Sequence, residues 1–291
     1  MINIFKISRF VFIFSILCIG LILYYVKNND IKYGLEFSGG TEVVVGFNKE
    51  INIDNLRFKL ESISGGTASV QVYDSKDYLI KFPVNEKRIE FNEDVKKYLD
   101  QVLYDDYKND QPLIKQIDYI GPKVGQELVN NGLMALLYGS LAILIYVFFR
   151  FNFSFAISAI AALFHDFLIA LFFIIFLDIE ITLSTIAALL TVIGYSVNDT
   201  IVIFDRVREN MNLLLDDKVE KIINISIIQT LSRTILTVIT VLIVLLPLYF
   251  FGGPVIEDFS IIMIIGVAVG TYSSIFFAPF LMYLISKWRT N

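Results

Sequence analysis

The sequence predicts an α-helical membrane protein with six transmembrane helices and one small α+β domain outside the membrane. Hydrophobic residues make up 56% of the 291 residues and charged residues only 18%, whereas a soluble domain carries about 25% charged residues. The apolar residues are concentrated in long uninterrupted runs. One mixed polar segment separates the first run from the second. These three observations together indicate a chain that crosses a bilayer several times and folds a single domain outside it.

Six apolar stretches are long enough to cross a hydrocarbon core, which is about 30 Å thick and takes about 20 residues of α-helix. They are residues 10–26, 132–149, 153–177, 181–204, 234–251 and 259–285. Lys6 and Arg9 precede the first stretch, but no small-residue cleavage pattern follows it. We therefore expect residues 1–26 to be an uncleaved signal-anchor span rather than a cleaved signal peptide.

Lysine and arginine residues near the spans predict the orientation of the chain. With a cytoplasmic N-terminus, the two short outer loops contain acidic residues and no basic ones: Asp178, Glu180, Glu257 and Asp258. The inner segments then hold Lys6, Arg9, Arg150, Arg206, Arg208, Lys218, Lys221, Arg233, Lys287 and Arg289. The positive-inside bias therefore predicts that both termini are cytoplasmic.

The extracytoplasmic region, residues 27–131, has the patterning of an α+β domain. Period-2 alternation predicts strands at residues 41–47, 69–73, 78–84 and 113–120, and helical spacing predicts helices at 53–63 and 92–103. The order β-α-β-β-α-β is that of a ferredoxin-like domain. Nothing in this region is typical of a catalytic site.

The rest of the chain divides into residues 132–206, which hold spans two to four, and residues 233–291, which hold spans five and six and the C-terminus. Residues 207–232 lie between them and combine mixed charge with apolar residues at helical spacing. This pattern predicts an interfacial amphipathic helix packed against the bundle on the cytoplasmic side.

Composition excludes several classes of site. The one cysteine, Cys18, leaves no disulfide framework and no thiolate metal site. The one histidine, His165, leaves no multi-histidine zinc site on this chain. A net charge of −5 does not indicate a nucleic-acid partner. We expect no metal, no cofactor and no enzymatic activity, because no nucleophile–base set is present either.

Asp199 is the most informative residue, because it lies inside the fourth apolar stretch. It is about 10 Å along the helix from Arg206, which marks the cytoplasmic end. An intramembrane carboxylate costs about 2.5–3.5 kcal/mol on insertion scales, so it normally faces the bundle interior and has a partner or a proton. We interpret Asp199 as a protonation site. The alternative is a structural acid near the interface.

Span five carries polar residues at intervals of three or four, namely Ser226, Thr230, Arg233, Thr237 and Thr240. This spacing places them on one helical face, which should avoid lipid and line the interior or a water-accessible path. Arg233 lies at a depth similar to that of Asp199. We expect the two to approach each other in at least one state, although Arg233 also fits the positive-inside rule alone.

His165 and Asp166 lie in the middle of span three. Neighbouring residues of a helix point about 100° apart, so we expect that this pair is not a self-contained dyad. It extends a proton relay or joins helices through hydrogen bonds. Ser196 and Asn198, close to Asp199 in the sequence, are candidates for the same two roles.

Span six has a row of small residues, Gly266, Gly270, Ser274 and Ala278, spaced by four. Small residues at this spacing allow neighbouring helices to approach closely. We interpret the row as a packing surface.

Ordered motifs across residues 34–279 resemble those of the SecF family of bacterial Sec protein-export subunits. The motifs are GLEFSGGT at 34–41, GPKVGQEL at 121–128, the His165-Asp166 pair, IAALLTVIGYSVNDTIVIFDRVREN at 186–210 and NISIIQTLSRT at 224–234. One residue departs from the family pattern: Glu36 stands where an aspartate is usual, which puts the local turn geometry in question.

The resemblance implies a function and a set of partners. Asp199 matches the family's proton-linked acid, and Arg233 matches its functional basic residue. Such a chain is similar to half of an RND-type transporter, and SecD supplies the other half. The implied partners are SecD, the SecYEG channel, YajC and translocating unfolded polypeptides, in the bacterial cytoplasmic (inner) membrane.

The implied energy source is the proton motive force, which is replaced by sodium in some members of the family. The alternatives are a stand-alone RND-like exporter and a purely structural scaffold for the translocation channel.

Overall fold

The computed structural model describes residues 4–64, 68–84, 94–215 and 217–290. In chain order, the helices are α1 (Ile4–Asn28), α2 (Leu35–Ser38), α3 (Ile53–Ser64), α4 (Val95–Tyr107), α5 (Pro122–Arg150), α6 (Phe153–Phe176), α7 (Leu183–Leu213), α8 (Val219–Phe251), α9 (Pro254–Tyr272) and α10 (Ala278–Thr290). The strands are β1 (Gly40–Gly46), β2 (Ser69–Asp74), β3 (Asp77–Pro83) and β4 (Leu113–Ile120).

Six helices of the described residues are long and apolar enough to cross a membrane, as the sequence predicts. They are α1, α5, α6, α7, α8 and a sixth span in which α9 continues into α10 through a π-helical turn at Ser273–Phe277. Most of them extend beyond the apolar stretches. The additional helical turns are polar, so the apolar stretches identified from the sequence end before the helices do.

Residues 207–232, expected to hold an interfacial amphipathic helix packed against the bundle, do not form an element of their own. Its first residues belong to α7, which ends at Leu213, and its last residues belong to α8, which begins at Val219. The apolar residues that suggested an interfacial helix, among them Ile222, Ile223 and Ile227, are buried against the bundle. The expected packing against the bundle is therefore present, but within helices that continue into spans four and five.

The α+β domain between the first two spans, which the sequence predicts to be extracytoplasmic, is ferredoxin-like as predicted. Its four strands form an antiparallel sheet in the order β2-β3-β1-β4. Side chains of α3 and α4 pack on one face of this sheet with Val43, Val45 and Ile80. Asp94 begins α4 by accepting a hydrogen bond from the backbone of Lys97 at 3.2 Å. The first two residues of the helix predicted at 92–103 lie outside the described part of the chain.

The two glycine motifs meet where this domain joins the bundle. Gly125 in the first turn of α5 packs directly on α2, and a Cβ at this position would lie 2.8 Å from the Phe37 carbonyl oxygen. Gly39 and Gly40 have φ angles of 74° and 150°, which only glycine adopts readily. The glycines thus permit a sharp turn and a close helix contact at the membrane surface.

Polar contacts also fix the domain to the bundle. The Gly34 backbone donates to the Ile181 carbonyl at 2.9 Å, and Lys81 of β3 forms a 2.7 Å salt bridge with Glu180. The Glu36 carboxylate accepts a hydrogen bond from the Leu183 backbone at 2.7 Å, at the N-terminus of α7. A carboxylate is favourable at a helix N-terminus, so Glu36 has a structural role at this junction.

Candidate functional site

The candidate site lies where α6, α7 and the sixth span pack together. The small-residue row of α9 makes this packing close. A Cβ at Gly266 would lie 2.1 Å from Val192 of α7, and a Cβ at Gly270 would lie 2.9 Å from Ser196. Close helix approach lets short polar side chains from different helices reach one another, which explains why the buried hydrogen bonds are found here.

The π-helical turn supplies two of these polar groups. Ser273 and Ser274 are consecutive, yet both are fully buried. The Ser273 hydroxyl donates to Asp166 Oδ2 at 2.7 Å, and the Ser274 hydroxyl lies 2.8 Å from that of Thr200 in α7. A π turn adds a residue to the helical turn and is frequent at functional sites. Here it directs two successive hydroxyls into the bundle.

Asp166 is the centre of a buried hydrogen-bond network that joins three spans. Its side chain has no solvent exposure. Oδ2 accepts hydrogen bonds from Ser196 of α7 at 2.5 Å and from Ser273 at 2.7 Å. Oδ1 lies 2.8 Å from Nδ1 of His165. Of the two roles predicted for Asp166 and Ser196, a contact between helices is what the structure displays.

His165 and Asp166 contact each other, and because Asp166 also bonds to two other spans, the pair is not a self-contained dyad. Although neighbouring side chains leave the helix in different directions, the two are adjacent in sequence, and rotation about their side-chain bonds brings Nδ1 to Oδ1. The His165 ring stacks on Phe277, with ring centroids 4.7 Å apart. This stacking contact restricts the orientation of the imidazole ring.

The second nitrogen of His165, Nε2, is buried and has no hydrogen-bond partner in the described part of the chain. His165 also lines a cavity of about 260 Å³ between α1, α6 and α9. On the wall of this cavity, Ser15 of α1 and Tyr272 of α9 form a hydrogen bond of 2.5 Å. The pair is therefore adjacent to a mainly apolar cavity, which Ser15 and Tyr272 also line.

Asp199 is the second acid of the bundle and has different surroundings. It is only 2% exposed. Its Oδ2 atom is buried without a hydrogen-bond partner among the described residues. Arg233 of α8 acts on it through its charge, and Thr271 of α9 acts on it through a side-chain hydrogen bond. A buried carboxylate without a full set of hydrogen bonds is costly as an anion. Binding of a proton, or the approach of a cation, would therefore stabilise Asp199.

Arg233 lies near enough to influence Asp199 electrostatically, but the two form no salt bridge in this structure. The Arg233 side chain is exposed on the outer surface of α8. The expected approach of the two residues in at least one state stays a prediction, because a single structure presents one arrangement.

The polar stripe of span five is only partly internal. Ser226 and Thr230 are buried, Thr237 is half-buried, and Arg233 and Thr240 are exposed. The stripe therefore passes from the bundle interior to the open surface of α8. The physical reason is that α8 packs on its neighbours along one side only.

Asn198 is exposed on α7, so it does not contribute to the buried network that Asp166 organises. It lies next to Asp199 in sequence but on the outer side of the helix. Asn198 and Arg233 are therefore both polar residues on the exposed surface of the bundle.

Sequence patterns did not indicate several polar residues of the site. Thr200, Thr271 and Ser273 were not singled out, although each is a hydroxyl residue in an apolar helix. The signal that was available is the run of hydroxyl residues in the sixth span, at positions 271–274. Its geometry depends on the π turn, which hydropathy patterns do not reveal.

Comparison with known proteins decides the family. The family model described as protein export membrane protein SecD/SecF, C-terminal, matches residues 101–288. The protein translocase subunit SecF of Calditerrivibrio nitroreducens is 37% identical over 97% of this chain and 93% of that protein. The chain belongs to the SecF family. SecF of Haemophilus influenzae is 38% identical over 98% of this chain and 86% of that protein.

Solved structures of SecDF resemble the whole chain. The crystal structure of the translocon-associated SecDF from Thermus thermophilus matches with a TM-score of 0.84 and 33% identity, over 100% of this chain and 39% of that one. SecDF in its super-membrane-facing form matches with a TM-score of 0.74 over 99% of this chain. This chain thus corresponds to the SecF portion of a longer SecDF chain. The predicted fold of six spans of RND type with a small α+β domain is confirmed.

Proposed function

We propose that this SecF-family chain works with a SecD-type partner and uses the transmembrane proton gradient to assist late steps of protein export. The observation that carries the proposal is the Asp199 carboxyl, buried in α7 with one oxygen unpartnered and with Arg233 as its cationic neighbour. Such a group changes its interactions when it gains or loses a proton.

The proposed cycle alternates between two charge states of Asp199. Ionised Asp199 attracts Arg233 toward the bundle, because a desolvated carboxylate is strongly stabilised by a nearby base. Protonation removes that attraction and releases Arg233 to the open surface of α8. One charge that crosses a potential of 100 mV supplies about 2.3 kcal/mol, which is enough to bias a conformational step.

A second six-span subunit accounts for the uncovered polar surface. Arg233 and Asn198 are exposed in this chain, yet both belong to helices with the composition of membrane spans. Polar groups in lipid are unfavourable, so a partner on this surface would cover them. The proposed assembly further includes SecYEG and YajC in the bacterial inner membrane, with both termini of this chain in the cytoplasm.

The experiment is protein export by inverted membrane vesicles that contain the chain with Asp199→Asn. We expect the variant to lose the stimulation of export by an imposed proton gradient while export without a gradient is unchanged. Asp205→Asn is the matched control. It makes the same substitution in the same helix, at a half-exposed residue paired with Arg150 and Arg208.

The outcomes separate the alternatives. Full stimulation in Asp199→Asn means that the chain is a scaffold without ion coupling. Stimulation that follows a sodium gradient instead of a proton gradient means that sodium is the coupling ion. Export that is independent of SecD contradicts the proposed partnership and favours a stand-alone exporter.

A further inference from the structure

A cavity of about 770 Å³ lies at the end of the bundle where α1 begins, α8 begins and α10 ends. Five basic side chains line it: Lys6, Arg9, Lys218, Lys221 and Lys287. They come from three helices that are far apart in sequence, and the one acid among the lining residues is Glu220. Convergence of this kind is not explained by any single helix end, so the cavity is a basic pocket created by the tertiary fold.

The acid in the pocket is already engaged. Glu220 Oε1 accepts a hydrogen bond from the Tyr283 hydroxyl at 2.6 Å. Lys221 forms a 2.6 Å salt bridge with Asp217 at the edge. Neither Arg9 nor Lys218 forms an ion pair in the described part of the chain. The pocket therefore retains an excess of positive charge.

Other basic residues at the same end of the bundle differ in this respect. Arg150 and Arg208 both pair with Asp205, at 2.6 and 3.0 Å. Arg206 pairs with Glu209 at 2.6 Å. The positive-inside bias accounts for the presence of all these bases. It does not account for the difference between these paired bases and Arg9 and Lys218, which form no ion pair in the described part of the chain.

The floor of the pocket is apolar and aromatic. Phe280 and Leu284 of α10 and Phe10 of α1 line it. Phe10 is 71% exposed, and the adjoining surface of α1 includes exposed Ile7 and Phe14. The apolar floor is thus continuous with the surface of a membrane-spanning helix, while the basic residues lie at the level where the helices end.

We propose that this pocket binds an anionic membrane phospholipid, with the phosphate headgroup held by Arg9, Lys218 and their basic neighbours and the acyl chains along Phe10 and α1. Basic pockets between membrane helices have the charge that anionic lipid headgroups require. The apolar floor favours a lipid over a soluble phosphate, because only a lipid uses both surfaces. The proposal does not depend on ion coupling at Asp199.

The test is native mass spectrometry of the full chain purified in detergent and titrated with phosphatidylglycerol or phosphatidylcholine. The test variant is Arg9→Gln/Lys218→Gln. The control variant is Lys27→Gln/Lys123→Gln, which removes the same charge from exposed residues of α1 and α5 at the opposite end of the bundle. The two variants therefore have the same net charge.

We expect the wild type and the control to bind phosphatidylglycerol with equal affinity and the test variant to bind about 30-fold more weakly, at about fivefold per basic residue. Phosphatidylcholine should bind weakly to all three. Equal phosphatidylglycerol affinity in the test variant overturns the proposal. Displacement of the lipid by inorganic phosphate at similar concentration also overturns it, because the site would then recognise a soluble anion.

A second measurement uses the wild type alone and does not depend on the folding of any variant. Raising the salt concentration screens the basic residues, so the affinity for phosphatidylglycerol should fall while that for phosphatidylcholine stays constant. An affinity for phosphatidylglycerol that is independent of salt contradicts the proposed headgroup contact.

Discussion

The Nδ1 atom of His165 and the Oδ1 atom of Asp166 lie 2.8 Å apart in the buried centre of α6. The other oxygen of Asp166 accepts hydrogen bonds from Ser196 and Ser273. One carboxylate thus satisfies donors from three membrane spans. This arrangement makes Asp166 a structural centre of the bundle, in contrast to the incompletely satisfied Asp199.

Removing the Asp166 carboxylate should destabilise the bundle. Asp166→Ala leaves His165 and Ser196 without this acceptor, leaves Ser273 only its 3.0 Å bond to the Gly270 carbonyl, and opens a cavity. Loss of one partner of a buried polar group of this kind costs about 3–5 kcal/mol. Thermal unfolding of the purified chain in detergent measures the effect. The control is Asp205→Asn at the half-exposed end of α7. An unfolding temperature for Asp166→Ala equal to that of the control would contradict the structural role.

A Cβ on the small-residue row should disturb the contact of α9 with α7. Gly266→Ala places a methyl group 2.1 Å from Val192 Cγ2, and overpacking of this kind costs about 1–3 kcal/mol. Gly194→Ala is the matched control, because nothing lies within 4 Å of its Cβ position. We expect Gly194→Ala to raise the free energy of unfolding by about 0.5–1 kcal/mol, because alanine has a higher helix propensity than glycine.

Relief of the clash provides a further check on the same contact. Val192→Ala removes the methyl groups that the Gly266→Ala side chain meets. The double variant should therefore recover part of the stability lost by Gly266→Ala. If the stability changes of the two single variants simply add in the double variant, the clash is not the cause of the loss in Gly266→Ala.

The salt bridge between Lys81 and Glu180 should restrict movement of the extracytoplasmic domain. The side chains are only 13% and 23% exposed, so the pair is less screened than a surface pair. Lys81→Gln should accelerate hydrogen exchange at the junction backbone of Gly34 and Ile181, which is hydrogen-bonded across the two parts.

The control for this prediction is Lys115→Gln, which breaks a 2.7 Å pair with Asp77 inside the domain. It should leave exchange at the junction unchanged. Exchanging the charges, with Lys81→Glu and Glu180→Lys together, should restore slow exchange at the junction. Unaltered exchange in the single variant Lys81→Gln means that the backbone hydrogen bonds alone hold the domain in place.

The stability of the sheet should fall as pH rises through the titration of Glu42. Burial on β1, with further contributions from Asp118, Glu36 and Glu180, raises the pKa of Glu42 above its ordinary value of 4.5, and the opposing charge of Lys81 only partly offsets this rise. The folded state therefore binds this proton more tightly than the unfolded state. Stability is highest below the ordinary pKa and decreases until the pH exceeds the raised pKa.

Glu42→Gln removes this titration. Hydrogen exchange of the β1 amides, compared between wild type and Glu42→Gln at each pH from 4 to 7 (about the range of the shift), measures the effect. As pH rises, the β1 amides of Glu42→Gln should become increasingly better protected than those of the wild type. A constant difference across this range would mean that Glu42 titrates as it does in the unfolded chain.

The sequence by itself determined the six spans, the β-α-β-β-α-β order of the extracytoplasmic domain and the position of Asp199 within a span. These are local properties, because hydrophobic length and side-chain period depend only on neighbouring residues. Tertiary structure decided which polar groups meet: Asp166 contacts Ser196 and Ser273 across sequence separations of 30 and 107 residues. It also decided that Arg233 is exposed, because the burial of one helical face depends on which helices pack against it.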